Sequence, residues 1–522
     1  MKFINHTTIY KVLVLGLVLP IVTIGCKDNL DPVIEELKLG RVLTPDRLEV
    51  HIRNRTTIEL EWGVRDDADY YVVEFSQDSL EFNTIIREVV VLPEELPLQE
   101  GFFGDTRYSA RVKGVNEDSS IGDSNWAAVT VLTESENIFL PIEDGDISTF
   151  QATVRWPANS DVSKLVVNPG NIEHVITAGE KTAGVATITG LSALTEYTVQ
   201  IIGGESTVRG TTEFKTLVDP AGPNTTFVQS TDDLNAVIAA APDGQTLVLG
   251  PGDYLVNDGE TLVLDKNLII RGQLPYDRPM LHVQFDVADG AFETSIIDLE
   301  MIGDDGVNLT TLFDLATAGV DHTSINISGC YIHNYGRQLV YGNVAATLGS
   351  FNVDNTIIKD FKAGGGDFID FRKAFVSNIS LTNSTFVNTP AERDFIRTDA
   401  ASGYTGTGLT TNILIDHCTL YGVSDATRRL LYVRFDANAS EVTNCLFAET
   451  TAYYSNQSAT SIPSLSHNNY FNAPGFYTDG TVLDEGEYTT VDPGFIDAEN
   501  GDFTVTNQDI LDDAIGDPRW LQ

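Results

Sequence analysis

The sequence predicts an all-β protein: two β-sandwich modules followed by a right-handed parallel β-helix. Three observations carry this reading. Residues 40–218 consist of short runs that alternate apolar and polar side chains, separated by turn residues. The stretch LNAVIAAAPDGQTLVLGPGDYLV (234–256) then gives one short amphipathic helix, a turn, a strand and a second turn. After it a short motif recurs as GCYI, NTII, NSTF, HCTL, NCLF and NNYF, ending at Ile332, Ile358, Phe386, Leu420, Phe447 and Phe471. The intervals are 26, 28, 34, 27 and 24 residues, the length of one solenoid coil with loop insertions.

The chain begins MKFINHTTIYKVLVLGLVLPIVTIGCKDN, where Lys2 and Lys11 supply positive charge ahead of an apolar run from Val12 to Ile24 that is short for a membrane span. The run ends in Ile24-Gly25-Cys26 and resembles a bacterial lipoprotein signal. That resemblance implies a signal peptide over 1–25, lipidation of Cys26, and a tether over 26–39. The competing reading is an ordinary signal peptide with an incidental cysteine. No second apolar stretch is long enough for a membrane helix, so a lipid is the only membrane attachment expected. The 522-residue chain carries a formal charge of −43, which repels nucleic acid and anionic lipid.

The first module, 40–135, contains the runs IELEWGV, YYVVEF, IIREVVVL, RYSARVKGV and WAAVTVL, with Trp62 early and Tyr108 late, as in a sandwich. The second, 136–218, repeats the plan with ATVRWPA, KLVVN, GVATITGL and EYTVQII. Its segment Gly190 to Val199, with Tyr197 inside a leucine-bounded turn, resembles the late-strand signature of fibronectin type III modules. Such modules act as spacers or binding platforms, and neither carries a catalytic cluster. DPAGPN opens a linker over 219–226, and the β-helix is assigned to 227–522. The helix near residue 234 is expected to cap the open end of the solenoid, where backbone groups would otherwise stay unpaired.

Stacking the repeats puts Asn355, Asn383, Asn444 and Asn468 in one column, with His417 substituting, and predicts an asparagine ladder at a corner. The next column holds Cys330, Thr356, Ser384, Cys418, Cys445 and Asn469, small residues suited to an interior turn. Three cysteines beyond Cys26 is an odd count, so a disulfide framework is not expected.

A second alignment sets LVYGN (339–343) against FIDFR (368–372), FIRTD (395–399) and LLYVR (430–434). Val340, Ile369, Ile396 and Leu431 should point inward; Tyr341, Asp370, Arg397 and Tyr432 should point outward. Two residues on, the outward column reads Asn343, Arg372, Asp399, Arg434. Leu339, Phe368, Phe395 and Leu430 break the alternation and imply a kink. Of the 14 Lys and Arg between residue 219 and the C-terminus, ten lie between Arg337 and Arg434, including Lys359, Lys362 and Arg393. Two readings compete: a stabilising Arg–Asp ladder, or a shallow groove in which arginines grip uronate carboxylates and Tyr341, Tyr432 or Tyr421 pack on sugar rings. A calcium ion bridging acidic groups to a polyanion is a further option, and GDDG (303–306) is acidic enough to contribute.

The helix and strip resemble the chondroitinase B and alginate lyase group of polysaccharide lyases. There a lysine removes the sugar C5 proton and an arginine stabilises the enolate; the matching positions are Lys373 and Arg397. This chain departs from that pattern, because Ala374-Phe375 follows the lysine instead of serines, and the spaced glutamate calcium ligands are missing. The whole layout resembles Bacteroidetes surface lipoproteins of polysaccharide utilisation systems. That implies an outer-membrane, outward-facing protein that captures an acidic polysaccharide through Tyr341, Asn343, Asp370, Arg372, Arg393, Arg397, Asp399, Tyr432 and Arg434. Its partner would be a SusC/SusD-type importer. A lyase is the alternative, and a structural adhesin the third class.

Overall fold

Buried and exposed side chains alternate along the N-terminal strands, and this periodicity builds two sandwiches. In the computed structural model residues 40–521 are described, apart from 205, 255–260, 304–308, 362–364, 391, 400, 402 and 487. The expected signal sequence, Cys26 and the tether lie outside the described residues. In the first module, strands Asp46–Arg53, Thr57–Gly63 and Leu98–Gly101 form one antiparallel sheet. Arg87–Val91, Tyr70–Ser76, Arg107–Val115 and Ala127–Leu132 form the other. Trp62 and Tyr108 are buried between them, and the Phe103 backbone N–H donates to the Tyr108 hydroxyl at 3.3 Å. The second module repeats this corner: Ser192 N–H donates to the Tyr197 hydroxyl at 2.9 Å. Both corners resemble the fibronectin type III arrangement.

The chain divides after Glu136, and the second sandwich belongs to the same compact unit as the C-terminal domain. That domain is a parallel β-solenoid. Its first sheet runs from strand Thr225–Val228 to Ser464–Ser466, its second from Asp253–Tyr254 to Tyr488–Thr489, and its third from Thr261–Leu264 to Leu431–Val433. The strand Thr225–Val228 pairs with Gln245–Leu249, so the solenoid starts inside the stretch 219–226 expected to be linker. The helix Leu234–Ala240 is capped by Asp233, whose side chain accepts from Ala236 N–H at 3.0 Å, and it buries Leu234 and Ile238 against the first coils.

From Tyr331–His333 to Asn468–Phe471, each strand of the second sheet is three or four residues long because a residue at positive φ bounds it on each side. The leading corner holds Gly329, Asn355, Asn383, His417, Asn444 and His467; the trailing corner, five residues later, holds Asn334, Asp360, Asn388, Gly422, Glu449 and Asn472. Gly, Asn, Asp and His tolerate this left-handed region better than other residues, which explains the column's composition. The amides do not ladder onto one another. Asn383 Nδ2 donates to Asp354 at 2.9 Å, Asn444 Nδ2 donates to Asp416 at 3.0 Å, and Asn355 accepts from Arg519 at 2.7 Å. The last repeat is also shifted by one residue from the sequence alignment. Leu446 pairs with Asn469, so His467 holds the corner, Asn468 enters the interior column, and Tyr470 rather than Phe471 continues the core stack.

The interior column is polar but satisfied. Cys330 N–H donates to Thr356 Oγ1, Thr356 N–H to Ser384 Oγ, and Cys445 N–H to Asn468 Oδ1, at 3.0–3.3 Å. The three cysteines are free and buried, and burial pushes the Cys330 thiol up to about 12. Beside them Phe361, Phe368, Phe386 and Phe395 interlock with ring centroids 5.1–6.2 Å apart. The C-terminal segment folds back over the second sheet's outer face. Trp520 Nε1 donates to Thr385 Oγ1 at 2.8 Å, and that hydroxyl donates to the buried Asp517 carboxylate at 2.6 Å.

If backbone conformation rather than amide laddering sets the corner, Asn383→Gly will retain most of the stability and Asn383→Ala will lose about 1–2 kcal/mol. Denaturant unfolding of the two variants checks this; equal losses would restore the ladder.

Candidate functional site

The third sheet aligns its strands in the register read from the sequence. Val340, Ile369, Ile396 and Leu431 stack inside, and Tyr341, Asp370, Arg397 and Tyr432 form the next row. Leu339, Phe368, Phe395 and Leu430 are also buried, so two successive side chains turn inward where the chain enters this sheet. The row one residue earlier, Gln338, Asp367, Asp394 and Arg429, was not singled out in the sequence. Extending the alignment by one position exposes it, and it supplies the carboxylates that organise the face.

Four aspartates and five arginines interlock here. Asp367 is fully buried and accepts from Arg393 Nε at 3.0 Å and from an Arg397 terminal nitrogen at 2.9 Å. Arg397 also grips Asp399 with two bonds of 2.9 and 2.8 Å. Arg434 shares Asp399 from the next coil at 2.9 Å. Asp370 is fully buried and takes Arg372 at 2.8–3.1 Å. Asp394 holds Arg429 through bonds of 2.8 and 2.7 Å. Tyr432 sits under three guanidinium groups, those of Arg429, Arg434 and Arg397, at 4.1, 5.0 and 5.4 Å from its ring centroid. Arg372 lies 5.6 Å over Tyr341.

Protonation follows this geometry. Burial raises the Asp370 carboxyl, with Arg372 opposing. Burial also acts upward on Asp399, but bonds from Arg397 and Arg434 outweigh it and hold that carboxyl below its ordinary value. Farther along the same outer row, Asp314 stacks on Asp286 and precedes Tyr341. Burial and the Asp286 charge push Asp314 up to about 6.

The nine expected ligand residues therefore divide. Arg397 is 15% exposed and all three of its side-chain nitrogens are committed, and the newly found Arg429, 18% exposed, is held in the same manner. These two are braces. Arg372, Arg393 and Arg434 are 29%, 35% and 39% exposed, and each keeps at least one terminal nitrogen without a partner among the described residues. Tyr341, Asn343 and Tyr432 are half-buried beside them. Asp370 lies in the outward row but is fully covered there, its carboxylate paired with Arg372 and close to Arg397, which corrects its assignment as a ligand contact. Arg372 bonds Asp370, so Asp399 bridges Arg397 and Arg434 instead of Arg372 and Arg434.

Lys373 is exposed in the turn after the Ile369–Phe371 strand, its backbone N–H on Gly342 O. The positive charge is not confined to one face, since Lys359 lies on the second sheet; Tyr421, expected to pack on sugar rings, lies there too. Lys362, and GDDG from Asp304 on, fall outside the described residues. Among the described residues no group of three His, Cys, Asp or Glu side chains is placed to hold a metal ion, and no helix is long and apolar enough to cross a membrane.

Two family models match the solenoid. Residues 252–389 match one described as Domain of unknown function (DUF4957), and 413–520 match one described as Domain of unknown function (DUF5123). The first covers Asp367, Asp370 and Arg372 of the third-sheet network and the second Arg429 and Arg434, with Arg393 to Asp399 between them. No curated protein matches the chain. Among solved structures, a two fibronectin type-III domain segment from chicken tenascin matches at 19% identity, covering 33% of this chain and 98% of that one, with a TM-score of 0.23. The central fibronectin-III array of RIM-binding protein matches at 18% identity over 36% of this chain and 65% of that one, TM-score 0.15.

Removing Arg397 would leave the buried Asp367 with only the more exposed Arg393 as a cationic partner and would also loosen Asp399. Arg397→Ala is therefore expected to lower stability by about 3 kcal/mol, and Arg393→Ala by about 1 kcal/mol or less. Chemical denaturation of both variants checks the order; equal small losses would mean that Arg397 is not a brace.

Proposed function

We propose that the outer face of the third sheet binds an acidic, uronate-containing polysaccharide, and that the protein is a cell-surface lipoprotein serving glycan capture and uptake. The observation that carries this is the set of arginines held on one side by aspartates with terminal N–H groups left toward solvent. Arg372 and Arg434 occupy equivalent positions two coils apart, about 10 Å. That is close to the repeat of alternate sugars in an extended polymer lying along the solenoid axis. A planar guanidinium fixed in this way offers two parallel donors to a carboxylate and loses little side-chain freedom on binding. Tyr341 and Tyr432 supply ring surface beside the same row.

Lyase chemistry is the less favoured reading. The matching arginine, Arg397, has its nitrogens already bound to Asp367 and Asp399, leaving none for an enolate. The lipid anchor at Cys26, the outer-membrane location and a SusC/SusD-type importer as partner rest on the sequence resemblance. The two sandwiches then serve as spacers between lipid and solenoid.

Affinity gels containing polygalacturonate, alginate or chondroitin sulfate test the binding. Retardation is expected for the intact protein, and Arg434→Ala and Arg393→Ala together should weaken it about tenfold without unfolding the chain. Asp314 gains charge as pH rises through about 6, so binding should be stronger at pH 5 than at pH 7. Migration unchanged in all three polymers would sink the proposal. Absorbance near 235 nm from unsaturated uronates would instead make the protein a lyase.

A further inference from the structure

The C-terminal segment does more than cover the second sheet. Between it and four successive coils of that sheet opens a cleft of about 700 Å³. On the sheet side its wall is the outward row Lys359, Val387 and Tyr421, with Tyr331 diagonally above. On the other side stand the short turn Ala498–Asn500, Phe503 and Trp520.

Three aromatic side chains, Tyr331, Tyr421 and Trp520, line this space and are only half-buried, so ring surface remains open. They are held rigidly. Tyr331 stacks on His333 with centroids 4.5 Å apart and carries the Lys359 ammonium 5.4 Å from its ring. Tyr421 packs on Phe503 at 5.3 Å, and Phe503 on Trp520 at 5.9 Å. Around the rings stand polar groups. Asn388 sits at a left-handed corner and Glu499 on the C-terminal segment; both are exposed, and neither side chain has a hydrogen-bond partner among the described residues.

The volume lies within the ordinary range for small-ligand sites, about 300–1,000 Å³. Fixed ring faces flanked by amide and carboxylate edges suit a molecule with an apolar C–H face and a rim of hydroxyls. The formal charge of the lining is negative, one ammonium against the carboxylates of Asp360 and Glu499. That disfavours a uronate. We infer that this cleft is a second carbohydrate site, independent of the third-sheet face, that takes a neutral oligosaccharide with Tyr331 as a stacking platform and Asn388 and Glu499 as hydroxyl partners.

The test is calorimetric titration of the full chain with cellohexaose, xylohexaose and mannohexaose. Binding to at least one is expected. Tyr331→Ala should weaken it about tenfold and Arg434→Ala should leave it unchanged. Tyr331→Ala removes a packed ring, so Asn388→Gly serves as the second variant: it keeps the left-handed backbone and deletes only the amide. A severalfold loss in Asn388→Gly with unaltered thermal unfolding supports the site. No heat with any of the three sugars, binding indifferent to both variants, or binding that Arg434→Ala abolishes would each overturn it.

Discussion

Six successive coils of the solenoid turn on two residues held at positive φ, five positions apart, on either side of a short strand of the second sheet. This backbone constraint fixes how many residues lie between corners. A parallel ladder then copies the spacing from coil to coil. Register is unforgiving in such a stack, because a slip of one residue would send a whole row of core side chains to solvent. Insertions are absorbed in the turns between the sheets, which is why repeat intervals vary while the strands stay aligned.

The third sheet inherits that register, and with it a surface that no single coil could make. Asp367, Asp370, Asp394 and Asp399 come from two coils and their arginines from three, so every bond from Arg434 to Asp399, or from Arg429 to Asp394, ties one coil to the next. Buried carboxylates are costly without partners, and here the partners are charged and well oriented. The same arrangement that offsets desolvation also immobilises the arginines. The network divides by depth: Arg397 and Arg429 lie deep in it, while Arg372, Arg393 and Arg434 rim it.

Much of this was legible in the sequence. The alternating runs gave the sandwiches, with Tyr108 and Tyr197 at their corners. The recurring N-x-x-F type motif gave the solenoid, and the four-strand alignment of the third sheet held residue for residue. What was missed has physical causes. The trailing corner is chemically mixed, Asn, Asp, Gly and Glu, because positive φ is its only requirement, so it forms no obvious column. Asn468 was misplaced because the last coil is shorter and a second asparagine follows it. Outward parity does not bring exposure at Asp370, because Arg372 of its own coil and Arg397 of the next lie over it. The C-terminal segment, which covers one sheet and forms the second cleft, has no repeat to announce it.

The central claim is that the aspartates pre-orient the rim arginines for an acidic glycan. Asp399→Asn tests it most directly, with affinity for polygalacturonate measured against wild type at fixed ionic strength. The substitution removes a negative charge from the face but releases Arg434 and half-releases Arg397. Weaker binding, despite the more positive surface, is the predicted result. Tighter binding would mean that bulk charge alone attracts the polymer and that the orientation of the arginines is irrelevant to it.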